Sequence, residues 1–319
     1  SSAASDVYKR QLMLSVAFGF GLILLAVGLI GCGSSVFHPE SSRVAQLASG
    51  GRKGLAQSIF QVGGNAGSAM GPLLAALIVI PYGQASIGWF ALAALLAIFI
   101  LVKIGNWYKR QLAVVACKSA AATATPVHGL TKRKIRHALL ILGVLVFSKY
   151  FYIACMTNYF TFFLMDKFGM SVQGSQYCLF AFLAASAAGT FIGGPVGDRI
   201  GRKYVIWGSI LGAAPFTLLL PYANLTCTIV LAIIIGLVIS SAFSAILVYA
   251  TDLMPGKVGM IAGVFFGLMF GLGGIGSAFF GWLADKTSIE YIFRISTLLP
   301  LLGIITGLLP NIESRASDK

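Results

Sequence analysis

The stretch GGPVGDRIGRK, residues 193–203, sets Asp198, Arg199, Arg202 and Lys203 among four glycines, between two long apolar runs. In a chain whose charged residues are only 10% of the total, that concentration of charge marks a short polar connection between two apolar helices. Its glycines permit a tight turn and a close approach of backbones.

The rest of the 319-residue chain supports this placement. It is 58% hydrophobic, with a mean hydropathy of +0.90, where a soluble domain carries roughly a quarter charged residues. The composition is that of an all-α, multi-pass membrane protein. A span takes about 20 mostly apolar residues, because backbone groups in lipid must be satisfied within a helix. That rule places spans near 19–37, 55–80, 87–103, 138–165, 175–196, 204–221, 227–250, 258–284 and 290–309, and residues 12–17 (LMLSVA) as the stub of one more. The expectation is therefore nine full transmembrane helices and a stub. The 38 glycines fall largely within the spans, as suits helices that approach closely through small residues.

The basic residues set the orientation. If the spans alternate, Arg43, Arg52, Lys53, the basic residues of 103–136, Arg199, Arg202, Lys203, Lys257, Arg315 and Lys319 fall on one side, and only Lys167 and Lys286 on the other. This asymmetry makes the first side cytoplasmic. It also accounts for the net charge of +14 without a nucleic-acid partner.

Residues 1–11, SSAASDVYKRQ, form no cleavable signal, whose basic residues would precede its own apolar core. If 12–17 end a helix at the outer face, Lys9 and Arg10 would lie near mid-bilayer, a costly place for charge. The expected organisation is a non-native tail at 1–11 and a partial N-terminal helix bundle at 12–103. A basic cytoplasmic linker follows at 104–136, holding the low-complexity run SAAATATP at 119–126. A six-helix bundle at 137–311 and a cytoplasmic tail at 312–319 complete it. Across the linker, Gly64-Asn-Ala-Gly67-Ser68-Ala69 and Gly273-Gly-Ile-Gly276-Ser277-Ala278 share G-x-x-G-S-A at an offset of 209 residues, and Gly28-Leu29 matches Gly236-Leu237 at 208. Small-residue runs also recur by chance in membrane helices. Two matches at nearly one offset nevertheless suggest six-helix halves related by duplication.

Gly194, Asp198, Arg199, Gly201, Arg202 and Lys203 spell G-x-x-x-D-R-x-G-R-K, which resembles the loop signature of the major facilitator superfamily. The resemblance implies a twelve-helix bundle in which this loop joins the second and third helices of a half and acts as a gate. A carboxylate at Asp198 suits a neighbouring helix N-terminus, whose free N–H groups carry partial positive charge. The helix beginning near Gly54 is the expected partner, with Arg199 and Arg202 near Glu40 or Asp252. A plain basic loop would explain the arginines but not Asp198 or the glycine spacing. Gly67-x-x-x-Gly71-Pro72-x-x-Ala75-Ala76 resembles the antiporter motif of proton-coupled drug exporters, with alanines in place of its last two glycines. There Pro72 would bend the helix and the small residues would permit tight packing. Residues 39–43, PESSR, are similar to a segment of sugar importers, which keeps uptake of a sugar or small metabolite open. The longer stretches 36–77 and 193–212 are similar to bacterial fosmidomycin-resistance-type exporters. This resemblance implies export of a small phosphonate drug or related amphiphiles in exchange for protons, by a monomer in the bacterial inner membrane.

Other chemistries find no support. The chain has no phosphate-binding G-x-x-x-x-G-K-[ST]. Cys32, Cys117, Cys155, Cys178 and Cys227 form no C-x-x-C pair, and His38, His128 and His137 have no metal spacing. No enzyme, cofactor or metal is expected. Candidate substrate-binding residues are polar groups at membrane depth. Lys149 lies near the middle of its span with Tyr150, Tyr152 and Asn158, where it either attracts an anion or meets a structural partner. Gln61 and Asn65, four residues apart on one helix face, either line a pocket or bond between helices. Arg294 is placed to snorkel. Glu40, Arg43 and Asp252 are candidates for a charge relay at the cytoplasmic gate.

Overall fold

The computed structural model of the chain describes residues 20–119, 130–254 and 256–312. The expected tail 1–11, the stub 12–17, positions 120–126 of the low-complexity run, His128 and residues 313–319 lie outside the described residues. Among those described, all regular structure is helical. The helices are α1 (Phe20–Leu47), α2 (Lys53–Leu74), α3 (Phe90–Ser119), α4 (Lys132–Phe168), α5 (Val172–Ile200), α6 (Arg202–Leu219), α7 (Leu225–Ser240), α8 (Ala242–Leu253), α9 (Val258–Lys286) and α10 (Ile289–Ser296). Eight helical stretches among the described residues are long and apolar enough to cross a membrane, and they coincide with the eight expected spans from 55–80 to 290–309. The expected span 19–37 falls, from Phe20 on, within α1, a helix of 28 residues.

Three details depart from the expectations. The span 227–250 is broken at Ser241 into α7 and α8. The last span is α-helical only as α10 and continues as a 3-10 helix over Leu299–Leu308, started by Pro300. The segment expected as a linker, 104–136, is helical as far as Ser119 and again from Lys132. No glycine or proline interrupts 106–118, so polar residues alone do not stop α3.

The helix ends carry chemistry that sets their limits. Ser171, Asn224 and Ser288 each accept a backbone N–H of the first turn, from Gly174, Cys227 and Tyr291, the bond that satisfies an otherwise orphaned donor. Gly169 ends α4 in the left-handed region, at φ 65°.

The chain divides into two compact units, Ser1–Val44 with Leu74–Thr125, and Ala45–Leu73 with Pro126–Lys319. In the first, a π-helical turn at Ala75–Val79 and a 3-10 turn at Gln84–Trp89 lead into α3. The second holds α2 and all of α4 to α10. Its tightest crossing is α5 against α7, where a methyl group added at Gly189 would overlap the backbone of Leu237. This is the close approach that small residues make available in membranes.

The second unit has two apolar cores. One gathers Leu142, Leu145 and Val146 of α4 with Ile206, Phe243, Ile246 and Phe265. The other gathers Phe151, Cys155 and Phe160 of α4 with Phe182, Ile235, Phe280 and Phe293. Phe163 stacks on Phe293 with ring centroids 4.4 Å apart. Lys149 falls between the two sets along α4, midway in that 37-residue helix.

Candidate functional site

A cavity of about 130 Å³ opens where the two cores meet. Gln61, Asn65 and Ser68 of α2 line it with Lys149, Tyr150, Ile153 and Thr157 of α4, Phe182, Leu183, Ser186 and Thr190 of α5, and Ser240 and Phe243 at the α7–α8 break. None of these residues is acidic.

Lys149 is 2% exposed. Its Nζ donates to the carbonyl of Ser240 at 3.3 Å and lies 5.4 Å from the centre of the Tyr150 ring and 5.7 Å from that of Phe243. Ser240 closes α7, so its carbonyl is one of the groups a helix end leaves without an internal partner, at the negative end of the helix dipole. Carbonyl, dipole and ring faces all favour a cation there, yet each is only a partial negative charge.

The same carbonyl also receives Thr190. The Thr190 hydroxyl lies 2.9 Å from the carbonyl of Ser186 and 3.3 Å from that of Ser240. Its oxygen accepts from the side-chain amide of Asn65 at 2.7 Å. Asn65 of α2, Thr190 of α5 and Lys149 of α4 are thus joined through one hydroxyl and one carbonyl.

Of the residues singled out in the sequence, Gln61, Asn65, Lys149 and Tyr150 line the cavity, while Tyr152 and Asn158 do not. A helix turns by ~100° per residue, which leaves Lys149, Ile153 and Thr157 on one face. Asn158 stands ~180° round from Lys149 and Tyr152 ~60° to its far side. Asn158 donates instead to the carbonyl of Ala154 at 2.8 Å, and Tyr152 is buried in the second core. Position along α4 alone does not decide which side chains reach the cavity; azimuth does. Ser186, Thr190, Ser240 and Phe243 were missed. The i, i+4 spacing of Ser186 and Thr190 in an otherwise apolar run was the available signal.

A second constellation surrounds residues 193–203, which the structure shows as the end of α5 and the start of α6 joined at Gly201 alone. The carboxylate of Asp198 accepts from the backbone N–H of Gly54 at 3.2 Å and of Leu55 at 3.0 Å, the first turn of α2. Arg202 pairs with Asp252 and lies 3.6 Å from Asp198. Lys53 pairs with Asp252 at 2.8 Å. Positive and negative groups therefore alternate from Asp198 through Arg202 and Asp252 to Lys53. Lys203 turns the other way and donates to the carbonyls of Gly307 at 3.0 Å and Leu309 at 2.5 Å, while Arg199 is exposed. Gly201 joins α5 to α6 at φ 101°. Glu40 and Arg43 are exposed on α1 in the first unit, where both act electrostatically on Tyr108 of α3.

Gly194 is where α5 touches α2. An added methyl group would overlap the Ser58 hydroxyl and the Gly54 carbonyl. Overpacking of this kind costs about 1–3 kcal/mol, so Gly194→Val should lower the melting midpoint of the purified chain. An unchanged midpoint would show that α2 yields freely. In the other motif, a methyl group at Gly67 or Gly71 would meet nothing within 4 Å, so the tight packing expected of these glycines is not seen among the described residues. At Gly276, which the expected repeat would pair with Gly67, an added methyl group would lie 3.3 Å from Phe151 and Ala154. Pro72 precedes the π-helical turn at Ala75–Val79, a common response of a helix to a disturbed hydrogen-bond ladder. Among the described residues no group of three or more metal-ligating side chains occurs.

Comparison with known proteins gives concordant results. The model of the Major Facilitator Superfamily matches residues 142–319. The chain is 60% identical to the fosmidomycin resistance protein of Escherichia coli (strain K12) over 94% of its own length and 73% of that protein's. It is 43% identical to an uncharacterized MFS-type transporter, YfnC, of Bacillus subtilis (strain 168), over 93% and 73%. Among solved structures, the human organic anion transporter MFSD10 (TETRAN) superposes with a TM-score of 0.70 at 16% identity, covering 96% of this chain and 75% of that one. At that identity the likeness concerns the fold alone.

Proposed function

The chain belongs to the Major Facilitator Superfamily of membrane transporters, and on that premise we propose that it exports a small anionic drug of the fosmidomycin type, or related amphiphiles, in exchange for protons. The observation that carries this reading is Lys149, a buried cation in a cavity whose lining holds no carboxylate. Burying a charge is expensive unless an opposite charge is supplied, and a phosphonate is such a charge. The name of the Escherichia coli relative supports export over the uptake that residues 39–43 left open.

In this proposal a monomer sits in the bacterial inner membrane with the segment 104–136 and the C-terminus cytoplasmic, as the basic residues favour. A partial N-terminal bundle (12–103) and a six-helix bundle (137–311) rock about the Lys149 cavity, with Gln61, Asn65 and Tyr150 beside the substrate. Asp198 latches α2 at the cytoplasmic side. Inward proton movement supplies about 2.3 kcal/mol per charge per 100 mV. With no carboxylate in the cavity lining, Glu40, Arg43 and Asp252 remain the candidates for the proton path.

The test is resistance of bacterial cells expressing the chain to fosmidomycin, with drug efflux measured before and after a protonophore. Resistance and efflux that collapse with the proton gradient are expected. Efflux that persists without the gradient would remove the coupling, and absence of both would remove the substrate class.

A further inference from the structure

At the break between α7 and α8, side chains serve the carbonyls of Val238, Ile239 and Ser240. The Ser209 hydroxyl of α6 reaches Val238 at 2.6 Å and Ile239 at 3.1 Å, and the Ser241 hydroxyl donates to Val238 at 2.9 Å. The Ser240 carbonyl is shared by a cation and a hydroxyl, Lys149 Nζ and Thr190 Oγ1, each at 3.3 Å. Thr190 has one proton to give, and the Ser186 carbonyl stands closer, at 2.9 Å. The shorter distance leaves that proton on Ser186 while Lys149 occupies Ser240. The Ser186 carbonyl lies inside α5, where the backbone N–H four residues on also serves it, so it can lose the hydroxyl at little cost. The Ser240 carbonyl, buried at a helix end, has no such reserve.

On the reading that an anionic substrate meets Lys149, we propose that Thr190 is a positioning residue that makes this lysine available. As the ammonium turns to the anion, the Thr190 hydroxyl rotates from the Ser186 carbonyl to that of Ser240 and takes over the bond the lysine gives up. Without that hand-over the lysine would leave a buried acceptor unsatisfied, which costs more than one neutral hydrogen bond contributes. The exchange turns a hydroxyl proton and moves no backbone, since a hydroxyl rotates to suit its partner. Asn65 steadies it from α2. Its amide donates to a lone pair of the Thr190 oxygen at 2.7 Å, which holds that oxygen in place and leaves its proton free to choose between the two carbonyls.

Thr190→Val keeps the shape of the side chain and removes its hydroxyl. Melting midpoints are measured for the purified wild-type chain, Thr190→Val, Lys149→Met and the double variant. Either single change leaves one side-chain donor on the Ser240 carbonyl and the double change leaves neither. The double variant should therefore melt a few degrees below the sum of the single effects. Asn65→Ala combined with Lys149→Met should be additive, because Asn65 does not donate to that carbonyl. In cells, Thr190→Val should raise the fosmidomycin concentration at half-maximal efflux about tenfold, and Thr190→Ser should restore it. Additive midpoints for Thr190→Val with Lys149→Met, as a water in the vacant place would give, overturn the proposal whatever the substrate. So does equal non-additivity with Asn65→Ala, or an unchanged half-maximal concentration in Thr190→Val. Non-additive midpoints in a chain whose wild type exports no fosmidomycin would support the shared carbonyl and overturn the substrate instead.

Discussion

Lys149→Met should abolish fosmidomycin resistance while leaving membrane abundance and the melting midpoint unchanged or raised. The two halves of that expectation have different causes. For stability, the ammonium is a desolvated charge held by one carbonyl and two ring faces. Replacing a buried ion with an apolar side chain of similar volume is often neutral or stabilising. For transport, a bond from a charged donor to the substrate is worth about 1.5–3 kcal/mol, so drug affinity should fall roughly 10- to 100-fold. Lys149→Arg keeps the charge but replaces a compact ammonium with a planar fork in a cavity of about 130 Å³, and should recover only part of the resistance. The discriminating result is the pairing of activity with stability. If Lys149→Met loses abundance and activity together, the lysine is a structural tie between α4 and α7. If it keeps full resistance, the anion binds elsewhere.

That cavity was legible in the sequence only where polar residues stand out by type. Lys149 is conspicuous in an apolar span, and Gln61 and Asn65 announce one face by their spacing. Thr190 was less visible, because hydroxyls in membrane helices routinely bond to the carbonyl four residues back, as Thr190 also does to Ser186. Ser240 could not be seen at all. Its contribution is a backbone carbonyl, released because the helix breaks at Ser241, and no proline or glycine at 240–242 marks that break. Tyr152 and Asn158 do not line the cavity, because a lone span gives depth but not the direction its neighbours impose. The long helices themselves were readable throughout, since length and apolarity alone decide them, whereas their ends reach beyond the apolar runs into polar flanks.

Asp198→Asn should bias the transporter toward the state open to the cytoplasm, slow export and leave expression intact. The carboxylate bridges two backbone donors at the start of α2, at the positive end of that helix dipole, where a negative charge contributes about 0.3–2 kcal/mol. An asparagine keeps one acceptor and loses the charge. The same change removes one negative neighbour of Arg202, whose other carboxylate neighbour Asp252 is also paired with Lys53. The energy involved is too small to unfold the chain but large enough to move a balanced equilibrium roughly two- to thirtyfold. The consequence reaches the cavity because α2 carries both ends of the connection. Gly54 and Leu55 meet Asp198, and Asn65, three turns on, meets Thr190 beside the Lys149 carbonyl partner. Release of the first contact should therefore loosen the second. A Ser68→Cys reporter on α2, in the cavity lining, gives the readout. In the Asp198→Asn background its labelling by a membrane-impermeant thiol reagent should rise from the cytoplasmic side and fall from the outer side. Asp198→Glu, which retains the charge at a longer reach, should restore part of the wild-type pattern. Labelling and export that both match the wild type would reduce GGPVGDRIGRK to an ordinary basic loop, its carboxylate a helix cap with no part in gating.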